Sequence, residues 1–195
     1  IIKPVILIVL FYIVLTNSVL LSQWSRINTT GSVPHLKNAA AIYDPLGNRM
    51  IVYGGRNAAG APSEVMWSLN LLSNTWVQIV PNGGPNPPPR YTHNLHYHQN
   101  ANGMIMWSGQ GIASAIYNDV WKFSFATNSW SQLWPDGNAS GVPLKRYGTA
   151  SVFEPVSGMI TTFAGFTSSG RFDDTWTFDA VNVLWQDRTS SVHPP

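Results

Sequence analysis

Three histidines, His93, His96 and His98, sit within one six-residue stretch. On an extended strand, His96 and His98 share a face at a spacing that can chelate a metal. Such a site needs further ligands, and no acidic residue or additional histidine lies close by in the sequence. The alternative puts His96 in a partly buried slot and His98 in an exposed turn, so no metal ligand is assigned. The chain has no cysteine, which excludes disulfides, thiolate metal sites and a cysteine nucleophile. No Ser-His-Asp arrangement or pair of carboxylates stands out. Gly83-Gly84 lies in a Pro-rich loop and opens no helix, so it is not a phosphate cradle. Catalytic and cofactor-binding residues are therefore read as none.

The remaining charged residues are few and recur at intervals. Asp119 and Asp174 each stand two residues before a tryptophan, and Arg90-Tyr91 returns as Arg146-Tyr147. Recurrence is what a scaffold requires, so these arginines are read first as locks between neighbouring units, through carbonyls or carboxylates, the alternative being a rim of donors for a ligand. Only 10% of the 195 residues are charged and the net charge is +2, against roughly 25% charged in average globular proteins. That composition speaks against a nucleic-acid binder with a dense basic patch. Apolar residues make up 44%, enough for a packed core.

The elements that carry these residues form a repeat. Asn118 to Trp130, NDVWKFSFATNSW, reads as two short strands joined by a turn at Ala126-Thr127-Asn128. Trp121 and Phe123 alternate onto one face, and Asn tolerates the left-handed φ of a tight turn. Trp67, Trp121 and Trp176 recur 54 and 55 residues apart, as do Trp76, Trp130 and Trp185. Upstream of each hairpin, a short apolar run ends in small residues: Gly54-Gly55, Ser108-Gly109 and Ala164-Gly165. A turn and another short strand precede each run. Each unit is thus four antiparallel strands, a to d, over about residues 35–80, 90–134 and 146–187. A unit of this kind buries its faces only against neighbours of its own kind.

Four-stranded units of about 50 residues are the blades of a β-propeller. The residues quoted above, with Asn-Asp-Val-Trp and Thr-Asn-Ser-Trp in the middle unit matching best, resemble the kelch-repeat family in its galactose-oxidase-like sense. The fold class is therefore all-β: a kelch-type propeller of about three four-stranded blades plus an N-terminal closing strand. That strand is Trp24-Ser-Arg-Ile27, which resembles Trp76-Val-Gln-Ile79 and Trp130-Ser-Gln-Leu133. Propellers of this family commonly close by letting an N-terminal strand complete the last blade. The resemblance thus implies a fragment of a larger ring. Copper-radical oxidation, one known chemistry of the family, needs a cysteine crosslinked to a tyrosine, which this chain lacks.

Residues 1–22 join one lysine to a long apolar run and a polar stretch, the layout of a signal peptide or a signal anchor. The expected location is therefore secreted, or membrane-anchored with the propeller on the non-cytoplasmic side. Asn28 and Asn138 open N-glycosylation tripeptides. The b–c loops, residues 56–63, 110–117 and 166–172, differ between units while the strands agree. Variable loops on a fixed frame are where binding residues are found. The candidates are Arg56, Asn57, Gln110, Tyr117, Phe166 and Arg171. The expected function is a non-catalytic propeller scaffold that binds a protein or glycan. The alternative is a carbohydrate-active or metal-dependent enzyme with its catalytic residues in further blades.

Overall fold

The computed structural model describes residues 24–192, so the segment expected as a leader, 1–22, lies outside the described residues. Blade 1 is built from β2 (Ala40–Asp44), β3 (Arg49–Tyr53), β4 (Met66–Asn70) and β5 (Thr75–Ile79), with β1 (Thr30–Gly31) added at its outer edge. Blade 2 begins at a two-residue strand, β6 (Arg90–Tyr91), that pairs with β9 (Gln110–Gly111). Its sheet is β7 (Asn94–His98), β8 (Gly103–Trp107), β10 (Val120–Ser124) and β11 (Ser129–Trp134). Blade 3 is β12 (Ala150–Glu154), β13 (Met159–Phe166), β14 (Arg171–Asp179) and β15 (Leu184–Asp187). Every pairing within the three four-stranded sheets is antiparallel and follows chain order.

The first strands sit innermost: β7 packs beside both β2 and β12. The Trp121–Trp130 hairpin is accordingly the outer half of its blade. Alternation along blade 2 sends residues to two different seams. Leu95, Met104, Met106, Trp121, Phe123 and Trp130 join Ile42, Ile51, Tyr53 and Met66 of blade 1 in one core. Ile105, Trp107 and Val120 join Ile160, Trp176, Phe178 and Trp185 of blade 3 in the other. Burial on both faces explains why Gly103–Trp107 is a continuous apolar run and not an alternating one.

The glycine pattern at the end of each b strand has a backbone cause. Gly54, Ser108 and Ala164 have φ of 66°, 64° and 58°, near the left-handed well that a non-glycine residue can enter. Gly55, Gly109 and Gly165 have φ of 92°, 110° and 123°, beyond that well. On φ alone only the second position demands glycine, and the first drifts to Ser and Ala in blades 2 and 3, although in blade 1 a Cβ on Gly54 would lie 2.6 Å from the Arg90 carbonyl oxygen. A Cβ on Gly109 would also lie 2.8 Å from the His93 Cβ. Gly109→Ala is expected to cost at least about 2 kcal/mol. Ser108→Ala, which installs the residue that blade 3 carries, should cost under about 1 kcal/mol. Urea denaturation of the two variants checks the contrast, and equal costs would contradict it.

The c–d turns show a similar substitution. Asn74, Asn128 and Val183 occupy equivalent positions with φ of 54°, 51° and 53°. A valine in this region costs about 1–2 kcal/mol. Val183 packs against the core between blades 2 and 3, which offsets that strain.

At the N-terminus the expected closing strand, Trp24–Ile27, pairs with no strand among the described residues. Trp24 is fully exposed, and residues 24–27 lie in no strand. The strand formed nearby is β1, which runs parallel to β5 with Thr30 opposite Thr75. Trp24–Ile27 carries the sequence of a d strand, but a d strand needs a c strand beside it, and β4 already pairs with β5.

Candidate functional site

Antiparallel order places the b–c loops and the d–a loops at one end of the blades. The two repeated arginines hold that end together. Arg90 donates from Nη1 to Asp119 Oδ1 at 2.6 Å and from Nη2 to Oδ2 at 2.8 Å. It also donates to the carbonyls of Ser108 at 2.9 Å and Pro88 at 3.2 Å. Asp119 Oδ2 in turn accepts the indole N–H of Trp121 at 2.7 Å. Arg146 repeats the arrangement, with both guanidinium nitrogens on the Asp174 carboxylate and the Trp176 indole donating to Asp174 at 2.7 Å. Burial acts to raise the Asp174 carboxyl, but the hydrogen bonds from Arg146 and Trp176 and the Arg146 charge hold it below its ordinary value.

The arginine backbones bind the preceding blade. Gly55 N–H donates to the Arg90 carbonyl at 2.8 Å, and Gly109 N–H to the Arg146 carbonyl at 3.0 Å. A second backbone relay runs beside it: Thr92 N–H to Asn38 O at 2.9 Å and Gly148 N–H to Thr92 O at 3.0 Å. Each arginine therefore locks its own blade through the side chain and its neighbour through the main chain. Both roles are structural.

Three of the candidate residues turn out to be one repeat position. Arg56, Gln110 and Phe166 each follow the second small residue of strand b and pair back to the start of strand a. Their partners there are Lys37, Tyr91 and Tyr147. The Arg56 guanidinium lies 4.1 Å from the centroid of the Tyr91 ring and donates to its hydroxyl at 2.8 Å. The Tyr91 hydroxyl donates to Gln110 at 2.5 Å. Phe166 packs on Tyr147 with ring centroids 5.9 Å apart, and Arg171 lies over Phe166. Asn57 is used locally, its side-chain oxygen accepting the Ala61 N–H at 3.0 Å.

Tyr117 and Arg171 line a cleft of 730 Å³ between blades 2 and 3. Its walls are the b–c loops of both blades and the d–a loop between them, which contributes Asp136, Asn138, Leu144 and Lys145. Lys145 is ion-paired with Asp136. Tyr117 and Phe172 form an aromatic floor, each stacked on a clamp arginine at 4.3 and 4.1 Å. Ile112, Leu144 and Phe166 stand exposed on the loops around it. Ala113 and Ser114 at the lip hold consecutive left-handed φ values of 51° and 61°, the kind of strain that collects at binding loops. Asn28 and Asn138 are both exposed.

Of the d–a residues in the cleft, the sequence singles out Asn138 alone, as a glycosylation acceptor; Asp136, Leu144 and Lys145 are not among its candidates, although a signal is present. Arg146 follows Trp130 by sixteen positions, whereas Arg90 follows Trp76 by fourteen. The two extra residues fall in the loop that builds this wall.

The histidines do not converge. His93 packs against Tyr53 of blade 1 with ring centroids 5.7 Å apart. His96 Nε2 bonds to Ser151 Oγ of blade 3 at 2.8 Å. His98 lies against Phe153 at 5.0 Å and is buried, not in the exposed turn that the sequence suggested. Among the described residues no group of three His, Asp or Glu side chains is placed to hold a metal.

The family model of the KLHDC2/KLHL20/DRC7 Kelch-repeats domain matches residues 10–195. The chain belongs to the kelch-repeat family. Kelch relatives include Tip elongation aberrant protein 1 of Schizosaccharomyces pombe, 27% identical over 85% of this chain and 14% of its own length. Serine/threonine-protein phosphatase BSL2 of Arabidopsis thaliana is 30% identical over 68% of this chain and 13% of its own length. Kelch domain-containing protein 10 of Xenopus tropicalis is 24% identical over 84% of this chain and 39% of its own length. The chain thus spans well under half the length of these kelch relatives. Kelch repeats are a protein-interaction scaffold, and the clamps described above are its fixed frame.

Proposed function

We propose that this kelch chain is a non-catalytic protein-binding module whose contact surface is the cleft between blades 2 and 3. One observation carries the reading: divergent loops with exposed apolar tips surround a concavity whose floor is fixed by two Arg–Asp clamps. A rigid floor lowers the ordering cost of binding. Exposed Ile112, Leu144 and Phe166 beside Lys145, Asp136 and Arg171 give the apolar centre and polar rim of a protein interface. A protein partner fits better than a glycan. One face of Tyr117 and one of Phe172 are already covered by guanidinium groups, which leaves less aromatic surface for a sugar ring.

Leu144→Asp and Arg171→Ala alter exposed side chains, so folding should be unaffected. Each is expected to reduce recovery of proteins co-purifying with the full-length chain by about tenfold, the scale of one interface hot spot. Undiminished recovery at an unchanged melting temperature would sink the assignment of this cleft.

A further inference from the structure

Blade 1 carries a second concavity, of 370 Å³, lined by His35, Lys37, Arg56 and Asn57 among others, with no carboxylate in its walls. We infer that it is a site for a tetrahedral oxyanion, a phosphoryl or sulfuryl group.

The repeat shows that the scaffold does not require basic residues at these positions. The positions of His35 in blades 2 and 3 hold Pro89 and Lys145. Those of Lys37 hold Tyr91 and Tyr147, and those of Arg56 hold Gln110 and Phe166. Three basic side chains gather only in blade 1. Blade 1 also lacks the clamp carboxylate that stands at this end of the other blades, together with the arginine it pairs with. The Arg90–Asp119 and Arg146–Asp174 pairs are replaced here by Leu36 and Val65. Among the described residues, the ion pairs of the loop end leave Lys37 and Arg56 without a carboxylate partner.

The geometry of Arg56 favours a tetrahedral group over a flat carboxylate. Its guanidinium is stacked on Tyr91, and Nη2 is committed to the Tyr91 hydroxyl at 2.8 Å. The two-pronged grip that arginine gives a carboxylate is therefore partly spent. What remains is a fixed positive charge, including a buried Nε with no partner. Lys37 adds a mobile point charge, the form in which lysine serves phosphate. Single donors from separate segments match oxygens pointing in several directions.

The test is titration of the full-length chain with inorganic phosphate, sulfate and acetate at constant ionic strength, since exposed charges are screened by salt. Melting temperature and calorimetry are both read, because a ligand bound only by the folded chain raises its stability. Phosphate or sulfate should saturate and acetate should not; the tighter of the first two names the group. Lys37→Tyr with Arg56→Gln installs the residues of blade 2 and should weaken binding at least tenfold. Lys37→Gln alone changes one exposed residue and should show a smaller loss, should the double variant not fold. Leu144→Asp, in the other cleft, should bind phosphate normally. An unchanged response in the Lys37 and Arg56 variants, or acetate matching phosphate, would overturn the proposal.

Discussion

Arg90→Leu should lower the unfolding free energy by about 3–5 kcal/mol, and Asp119→Val by a similar amount, because each leaves the partner charge buried and unpaired. Both side chains are essentially inaccessible, at 0% and 2% exposure. Removing Arg90 strands a carboxylate that then has only the Trp121 indole as a donor. Removing Asp119 leaves a guanidinium with carbonyls alone. The double variant should behave differently. Blade 1 holds Leu36 and Val65 at these two positions and still forms all four strands. Replacing a buried ion pair with apolar groups of similar volume is often near neutral. Arg90→Leu with Asp119→Val should therefore cost clearly less than either single change. Urea denaturation of the three variants gives the coupling energy. A double variant that loses the sum of the two singles would mean zero coupling, and the two side chains would then act independently and not as a pair. The matching pair in blade 3 should be more tolerant, since Asp174 is 23% exposed and water can solvate what is left.

These clamps also show what the sequence discloses and what it does not. Tryptophans nine residues apart, recurring at nearly constant spacing, place the c and d strands because a stacked sheet admits one register. The repeated Arg-Tyr dipeptides are legible as locks for the same reason. What stayed hidden depends on contacts between loops that share no sequence. Arg56, Gln110 and Phe166 have nothing in common as side chains, so their equivalence emerges only from the shared backbone pairing to strand a. The cleft combines residues 114–117, 136–145 and 167–172, segments that only stacking of blades brings together. The sequence suggests a turn for His98 because it ends a strand. It is buried because the neighbouring blade supplies Phe153, a contact no local pattern encodes.

Acidification from pH 7 to 5 should destabilise the fold by about 3 kcal/mol, before most carboxylates titrate. Two histidines at the seams of blade 2 are responsible. Burial, with the nearby Arg90 charge, pushes His93 down to about 3, and burial pushes His96 down to about 4. His93 faces Tyr53 and Arg90, and His96 faces Ser151, so neither meets an acid that would favour its charged form. In the unfolded chain both titrate near 6.5. Their neutral-state stabilisation is thus fully present above pH 6.5. Below it the unfolded chain takes up protons that the folded chain refuses, and the loss continues until the folded values are reached. In the middle of that window each histidine contributes a slope of about 1.4 kcal/mol per pH unit. His98 works in the same direction, through burial and the Lys122 charge, against a backbone hydrogen bond and the Asp179 charge. Asp174, held below its ordinary value, loses its contribution only as pH falls through the carboxylate range, below the histidine window. His96→Val, which installs the residue found at this position in blade 3 as Val152, should remove about half of the slope between pH 6.5 and 5. It also deletes the Ser151 bond, at a pH-independent cost of about 1 kcal/mol. Denaturation midpoints at half-unit pH intervals separate the two effects. A slope unchanged by His96→Val would mean that the seam admits the charged ring, and the two blades would then part from some other cause.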